Sequence, residues 1–347
     1  MKKILSFFII SMTIVALNAC KTEEVVNNTD VSSSRDVTTI TFSHNQSALS
    51  TEHMGALKFK EVIEKESNGK VKVDVYPSSQ LGGLREQVEA TQIGEIDITL
   101  QPAATITLFE DDVKIVDLPY LLPTKEEEMY QVLDSEVGTE ILNTLNDSSL
   151  EGLGFWPGGY KMLTSQNTQI ENVQDLKGLS MRTMESPVLV EQFKTWQASA
   201  IPIAYSEVYN SLQLGIVDGQ ENPVQTIYMN NYHEVQNSIA ESYHGAMTYI
   251  LIANEAWFNS LDEEIQDYII SAEKQAKEES RSKLKEKEGE YRKAIIANVD
   301  HYYEFTEDDI KKSKALSEPL WDAVYDTPKQ QEILEKFKEK INEVEHD

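Results

Sequence analysis

A chain of 347 residues, 40% of them hydrophobic, can bury a sizeable core and exceeds the usual single-domain size, so two lobes are expected. Its formal charge of −28 excludes nucleic acid and anionic lipid surfaces, which require a basic footprint, and obliges any anionic ligand to be held by a local cation. The lone cysteine, Cys20, excludes an internal disulfide.

At the N-terminus, Lys2 and Lys3 precede an apolar run from Ile4 to Leu17, interrupted only by Ser6, Ser11 and Thr13. The run is short for a bilayer span and right for a secretory signal, assigned to residues 1–19. Cys20 follows in "LNAC", which resembles a bacterial lipobox; the alternative is a leftover buried thiol. More than one acyl chain on Cys20 gives a stable anchor without a transmembrane helix. With Cys20, residues 21–36 lack periodicity and read as a flexible tether, which places a soluble body outside the cytoplasm at a membrane surface.

Beyond the tether, "VTTITF" (37–42) predicts a strand and "TEHMGALKFKEVIEKES" (51–67) a helix with Ala56, Phe59, Val62 and Ile63 on one face. In "KVKVDVY" the valines 71, 73 and 75 alternate with polar residues, as in a half-buried strand. "LREQVEATQIG" is a helix stopped by Gly94, and "IDITLQ" another strand. This βαβ succession predicts an α/β lobe with parallel pairing. "GFWPGGYK" (154–161) reads as a turn or crossover into a second lobe. There "LSMRT" (179–183) is a strand, Ser186 and Pro187 open a helix, and "AIPIA" is a strand. "YSEVYNSLQLGIVDG" is a helix ended by Asp218-Gly219, and Asn222-Pro223 reads as the N-cap and first residue of the next. One very long helix covers Asp262 to about Val299, and Thr327-Pro328 opens the terminal one. Lobe I is assigned to 37–157 plus about 247–287, and lobe II to 158–246 plus about 288–347.

Catalytic constellations are thin. The six histidines show no pair at metal-ligand spacing, and neither a nucleophile elbow nor a phosphate-cradling glycine loop occurs, so no catalytic residue, metal or cofactor is assigned. The block "GIVDGQENP" (215–223) stands out, because capping by Asn222 accounts for one residue and leaves Gln220 and Glu221 unexplained.

That block, with "DLKGLSMRTMESPV" (175–188), "YPSSQLGG" (76–83), "DLPYLL" (117–122) and "GYKMLTS" (159–165) in the same order, resembles the DctP-type solute receptors of tripartite ATP-independent periplasmic (TRAP) transporters. The resemblance implies two α/β lobes hinged around a cleft, a long helix spanning both, and delivery of a bound organic acid to membrane permease subunits. It implies that Arg182, in the "G-L-x-x-R" strand, binds the ligand carboxylate, and that Asn222 contacts it. Tyr205 matches an aromatic cleft position, or is a core residue at a helix start. Lys161 stands where the family often has a second arginine, and keeps the charge without the planar fork. Glu86 is a candidate acceptor for a polyol, and His44 and His244 are further candidate contacts; surface or packing roles explain each of these three equally. Gly83 and Leu84 take the places after "QLG" that are acidic in sialate receptors of the family, which disfavours sialate and leaves uronates, aldonates, keto acids and C4-dicarboxylates. The rival readings are a sensory receptor of the same fold and a secreted enzyme acting on acidic sugars.

Overall fold

The computed structural model describes residues 37–346, so the signal, Cys20 and the tether lie outside the described residues. Ten strands follow one another along the described residues. The first four are β1 (Thr38–His44), β2 (Val71–Tyr76), β3 (Ile98–Pro102) and β4 (Leu150–Ser165). Next come β5 (Ser180–Thr183), β6 (Ser199–Pro202) and β7 (Gly219–Pro223). The last three are β8 (Ser238–Glu241), β9 (Ala246–Asn254) and β10 (His301–Glu304).

The expected α/β architecture is present, with parallel pairing confined to its two wings and to the β8–β10 pair. In one wing, β1 lies between β2 and β3, parallel to both; in the other, β5 lies between β6 and β7, again parallel to both. Antiparallel β9 and β4 join the wings: β3 pairs with β9, β9 with the first part of β4, and the last part of β4 with β7 and β8. One strand thus serves both halves. The stretch read as a turn, residues 154–161, lies inside β4: its glycines and proline make register shifts, between Gly152 and Gly154 and between Pro157 and Tyr160, and the strand continues through them.

The long helix runs over Glu263–Ile296, 34 residues, or about 50 Å at 1.5 Å per residue. Ile269, Ala272 and Ala276 pack in the core of the first half, while Tyr291 and Ile295 pack with Val208, Leu212 and Ile227 of the second. The helix therefore ties both halves together by burying a different stretch of one face in each. The terminal helix, Pro328–His346, corrects the lobe assignment. Its Ile333, Leu334, Phe337 and Ile341 join the core that holds Ile40 and Phe42, and it packs on helices Glu126–Leu133 and Glu136–Thr144 of the first half. No described helix is long and apolar enough to cross a membrane.

Candidate functional site

Five strands, three from one parallel wing and two from the other, end at one place. Asn45 follows β1, Ser79 follows β2, Thr105 comes shortly after β3, Glu185 after β5, and Tyr205 after β6; all line a cavity of about 760 Å³ between the two halves. In open α/β sheets, ligands bind beyond the carboxyl ends of the strands, where backbone groups and short loops are left free to face them. The volume suits a small organic molecule.

Arg182 lines this cavity from β5, with its side chain 1% exposed. Its Nε and Nη2 both donate to the Ile203 carbonyl, at 3.0 and 2.8 Å, which fixes the plane of the guanidinium. It forms no ion pair with any described residue. Burial pushes its pKa down, and Tyr232, Glu221, Tyr205 and Glu185 act from a distance in the opposite direction. A guanidinium stays charged in such surroundings, so a full positive charge sits at the cavity wall with one edge on a neutral carbonyl.

Tyr205 lines the cavity too, and its hydroxyl accepts from Asn230 Nδ2 at 2.9 Å. Burial raises its pKa to about 12, so it stays a neutral phenol. Glu86 reaches the same cavity from the first turn of helix Leu84–Gln92. Its carboxylate folds over Gly83, where an added Cβ would lie 2.5 Å from Oε2, at the helix N-terminus whose dipole favours negative charge.

The other four candidates do not line this cavity. Lys161 on β4 is 1% exposed, and its Nζ lies 3.1 Å from Glu221 Oε1 and 3.9 Å from Asp117 Oδ1. Its charge is committed inside the protein. His244 belongs to the same cluster: Nε2 lies 2.8 Å from Glu221 Oε2, and Nδ1 2.6 Å from the Ser242 hydroxyl. Burial pushes His244 down, against the pull of Glu221. A neutral imidazole then donates from Nε2 to the carboxylate and accepts from Ser242 at Nδ1. Burial alone would raise Glu221, but Lys161 and His244 together hold it well below the usual carboxylate range. His44 is fully buried, with Nε2 3.0 Å from His53 Nδ1; burial and His53 lower its pKa to about 3.

Asn222 requires a correction. It lies within β7, paired with Met162 of β4, and caps no helix; helix Val224–Met229 begins after Pro223 with no side-chain cap. The preceding helix ends at Gln213, and Gly215, at φ +65°, closes it instead of Gly219. Asn222 Nδ2 donates to Gln220 Oε1, and Gln220 Nε2 donates to Thr164 Oγ1 at 3.1 Å. The polar block is thus a short strand whose Gln220, Glu221 and Asn222 are all buried in hydrogen bonds. Sequence reading missed Asn45, Ser79 and Thr105. Polar residues packed at the ends of apolar strands, as in "FSHNQS" (42–47), are the signal that could have found the first of them.

Comparison with known proteins gives one consistent family. The family model described as bacterial extracellular solute-binding protein, family 7 (DctP), matches residues 42–328. A C4-dicarboxylate-binding periplasmic protein, DctP of Rhodobacter capsulatus, is 32% identical over 82% of this chain and 85% of its own. Among solved structures, a TRAP periplasmic solute-binding protein from Desulfovibrio salexigens with bound orotic acid superposes with a TM-score of 0.85 at 29% identity, covering 88% of this chain and 99% of its own. Another, from Anaerococcus prevotii with bound D-glucuronate, gives 0.83 at 28% identity, with 88% and 99% covered.

Proposed function

Since this chain belongs to the bacterial extracellular solute-binding protein family 7, we propose that it is a TRAP-transporter receptor that captures an organic acid outside the cytoplasm and hands it to membrane permease subunits. Dicarboxylates, orotate and glucuronate are named for its relatives, and carboxylate is their shared chemistry. One observation carries the reading: a buried arginine, without an acidic partner among the described residues, faces a ligand-sized cavity. Guanidinium offers a planar fork that matches a carboxylate with two parallel hydrogen bonds. A buried charge is costly while unpaired, so the acid supplies what the fold withholds.

The two wings bring their strand ends to the cavity from opposite halves, so a ligand that touches both favours the closed arrangement by its differential affinity for it. No bond in the ligand is broken or made. Cys20, lipidated at the head of its tether, holds the receptor at the membrane surface. Arg182→Ala is expected to weaken binding of the acid by roughly 2–5 kcal/mol, the scale for stripping one partner from a buried charge pair. Titration calorimetry that returned an unchanged affinity would remove Arg182 from the site. A thermal-shift screen over uronates, aldonates, keto acids and dicarboxylates identifies the acid.

A further inference from the structure

We infer that this receptor selects a monocarboxylate carrying hydroxyl groups over a dicarboxylate, with Arg182 taking the one carboxylate and Asn45 and Glu86 reading the hydroxyls. The inference rests on the organic-acid reading above. Its first support is the charge of the cavity wall. Two cations line it, Arg182 and Arg85, against three acids, Glu86, Glu89 and Glu185. Arg85 is exposed and donates from Nε to Glu89 Oε1 at 2.8 Å, so its charge is already matched at the rim. Lys161, the cation that the sequence offers for a second anionic group, is absorbed by Glu221 and Asp117 and does not line the cavity. One carboxylate therefore finds a buried, unmatched partner. A second would find none, and would meet Glu86 and Glu185, exposed acids with no ion-pair partner among the described residues.

The second support is hydrogen-bonding capacity. Asn45 is 5% exposed, and its Nδ2 donates to Ser79 Oγ at 2.9 Å, with the Gly82 carbonyl 3.5 Å away. A carbonyl only accepts, so that contact fixes which end of the amide is nitrogen. Asn45 Oδ1 is then a buried acceptor without a donor among the described residues. Glu86, on the same wall, is also acceptor-only when ionised. Two acceptors call for donors on the ligand. Hydroxyl groups donate; a carboxylate cannot, and would leave Asn45 unsatisfied while repelling Glu86. Recognition by an unpaired buried acceptor such as Asn45 Oδ1 discriminates strongly, because the wrong ligand leaves it buried and unmatched, while Glu86 acts from the exposed side of the wall.

The test is calorimetric, on the mature protein with D-gluconate, D-glucuronate, succinate and L-malate as probes. At least one hydroxylated monocarboxylate is expected to bind roughly tenfold or more tighter than either dicarboxylate, the change that about 1.4 kcal/mol of discrimination produces. Glu86→Gln is expected to narrow that gap by improving the dicarboxylates. A dicarboxylate that binds best, or a Glu86→Gln variant that leaves the gap unchanged, overturns the inference and leaves the organic-acid reading standing. Failure of a wider acid panel in the thermal-shift screen overturns that reading itself.

Discussion

At the scale of single residues, the most informative side chain is one whose role was hidden. Glu221 is the acid at the centre of the polar block 215–223, and it holds Lys161, His244 and the Gln192 amide, which donates to Oε2 at 2.8 Å. Asp117 stands at the edge of the cluster, held up at about 6 by burial, with Lys161 pulling down and Glu221 pushing up. Removing the Glu221 charge leaves the buried Lys161 ammonium with only the more distant Asp117, at 3.9 Å, as an acidic partner among the described residues. Glu221→Gln is therefore expected to cost roughly 3–5 kcal/mol of stability, the range for breaking a buried pair, read from the midpoint of urea unfolding. Adding Lys161→Met should recover much of the loss, since deleting both partners removes the stranded charge. A double variant no more stable than the single one would show that the cluster is held by packing instead. Sequence alone located this block as unusual and tied Arg182 to it by resemblance. It could not show that Lys161 and His244 spend their hydrogen bonds inside the fold, because their partner lies 60 and 23 positions away in the chain. Such pairings exist only once β4 and β7 are aligned.

Among the elements, those with a clear period were legible. Helix Thr51–Glu66 and strand β2 fall within a residue or so of expectation, and Pro187 opens helix Pro187–Thr195 as read, with Ser186 at the N-cap position but making no side-chain capping bond. Thr327 and Gln330 close a reciprocal cap, each side chain accepting from the other's backbone N–H. Besides β7, the misread element was β4, whose Pro157, Gly158 and Gly159 resemble loop punctuation. Their physical role is close approach. A Cβ at Gly158 would lie 2.5 Å from the Met247 carbonyl oxygen and 2.6 Å from the Tyr249 ring, where β9 crosses β4. Gly159, at φ +90°, also occupies a conformation that suits glycine. Gly158→Ala is expected to cost about 1–3 kcal/mol through overpacking, because a backbone carbonyl cannot swing aside as a side chain can. The same variant should weaken acid binding by calorimetry, since β4 is the strand through which the two wings share their geometry. Unchanged unfolding would mean that the crossing has slack.

For the whole molecule, the two halves meet through a buried polar bridge as well as through β4 and the long helix. Gln225, at the start of helix Val224–Met229, donates from Nε2 to both carboxyl oxygens of Glu52, at 3.1 and 2.8 Å, and its Oε1 accepts from the Thr51 backbone at 3.1 Å. Glu52 is 1% exposed, and burial raises its pKa to about 7 in spite of these hydrogen bonds. Between the ordinary carboxyl value of 4.5 and 7, the folded protein holds a proton that the unfolded chain releases, so this group lowers stability as pH rises through that window. His44 works the other way. It is neutral in the fold down to about 3 but protonates near 6.5 when unfolded, so its contribution grows as pH rises between those values. The opposed slopes overlap from about 4.5 to 6.5, where these two groups offset one another. Glu52→Gln keeps an acceptor for Gln225 and removes only the rising cost. Its stability relative to the wild type should increase from pH 4 to pH 8 by up to about 3 kcal/mol, because each tenfold change in proton affinity is worth about 1.4 kcal/mol; urea unfolding at each pH measures it. A difference between the two proteins that stays constant over that range would mean that Glu52 titrates as an ordinary exposed acid, and that the bridge between the halves does not bury it in solution.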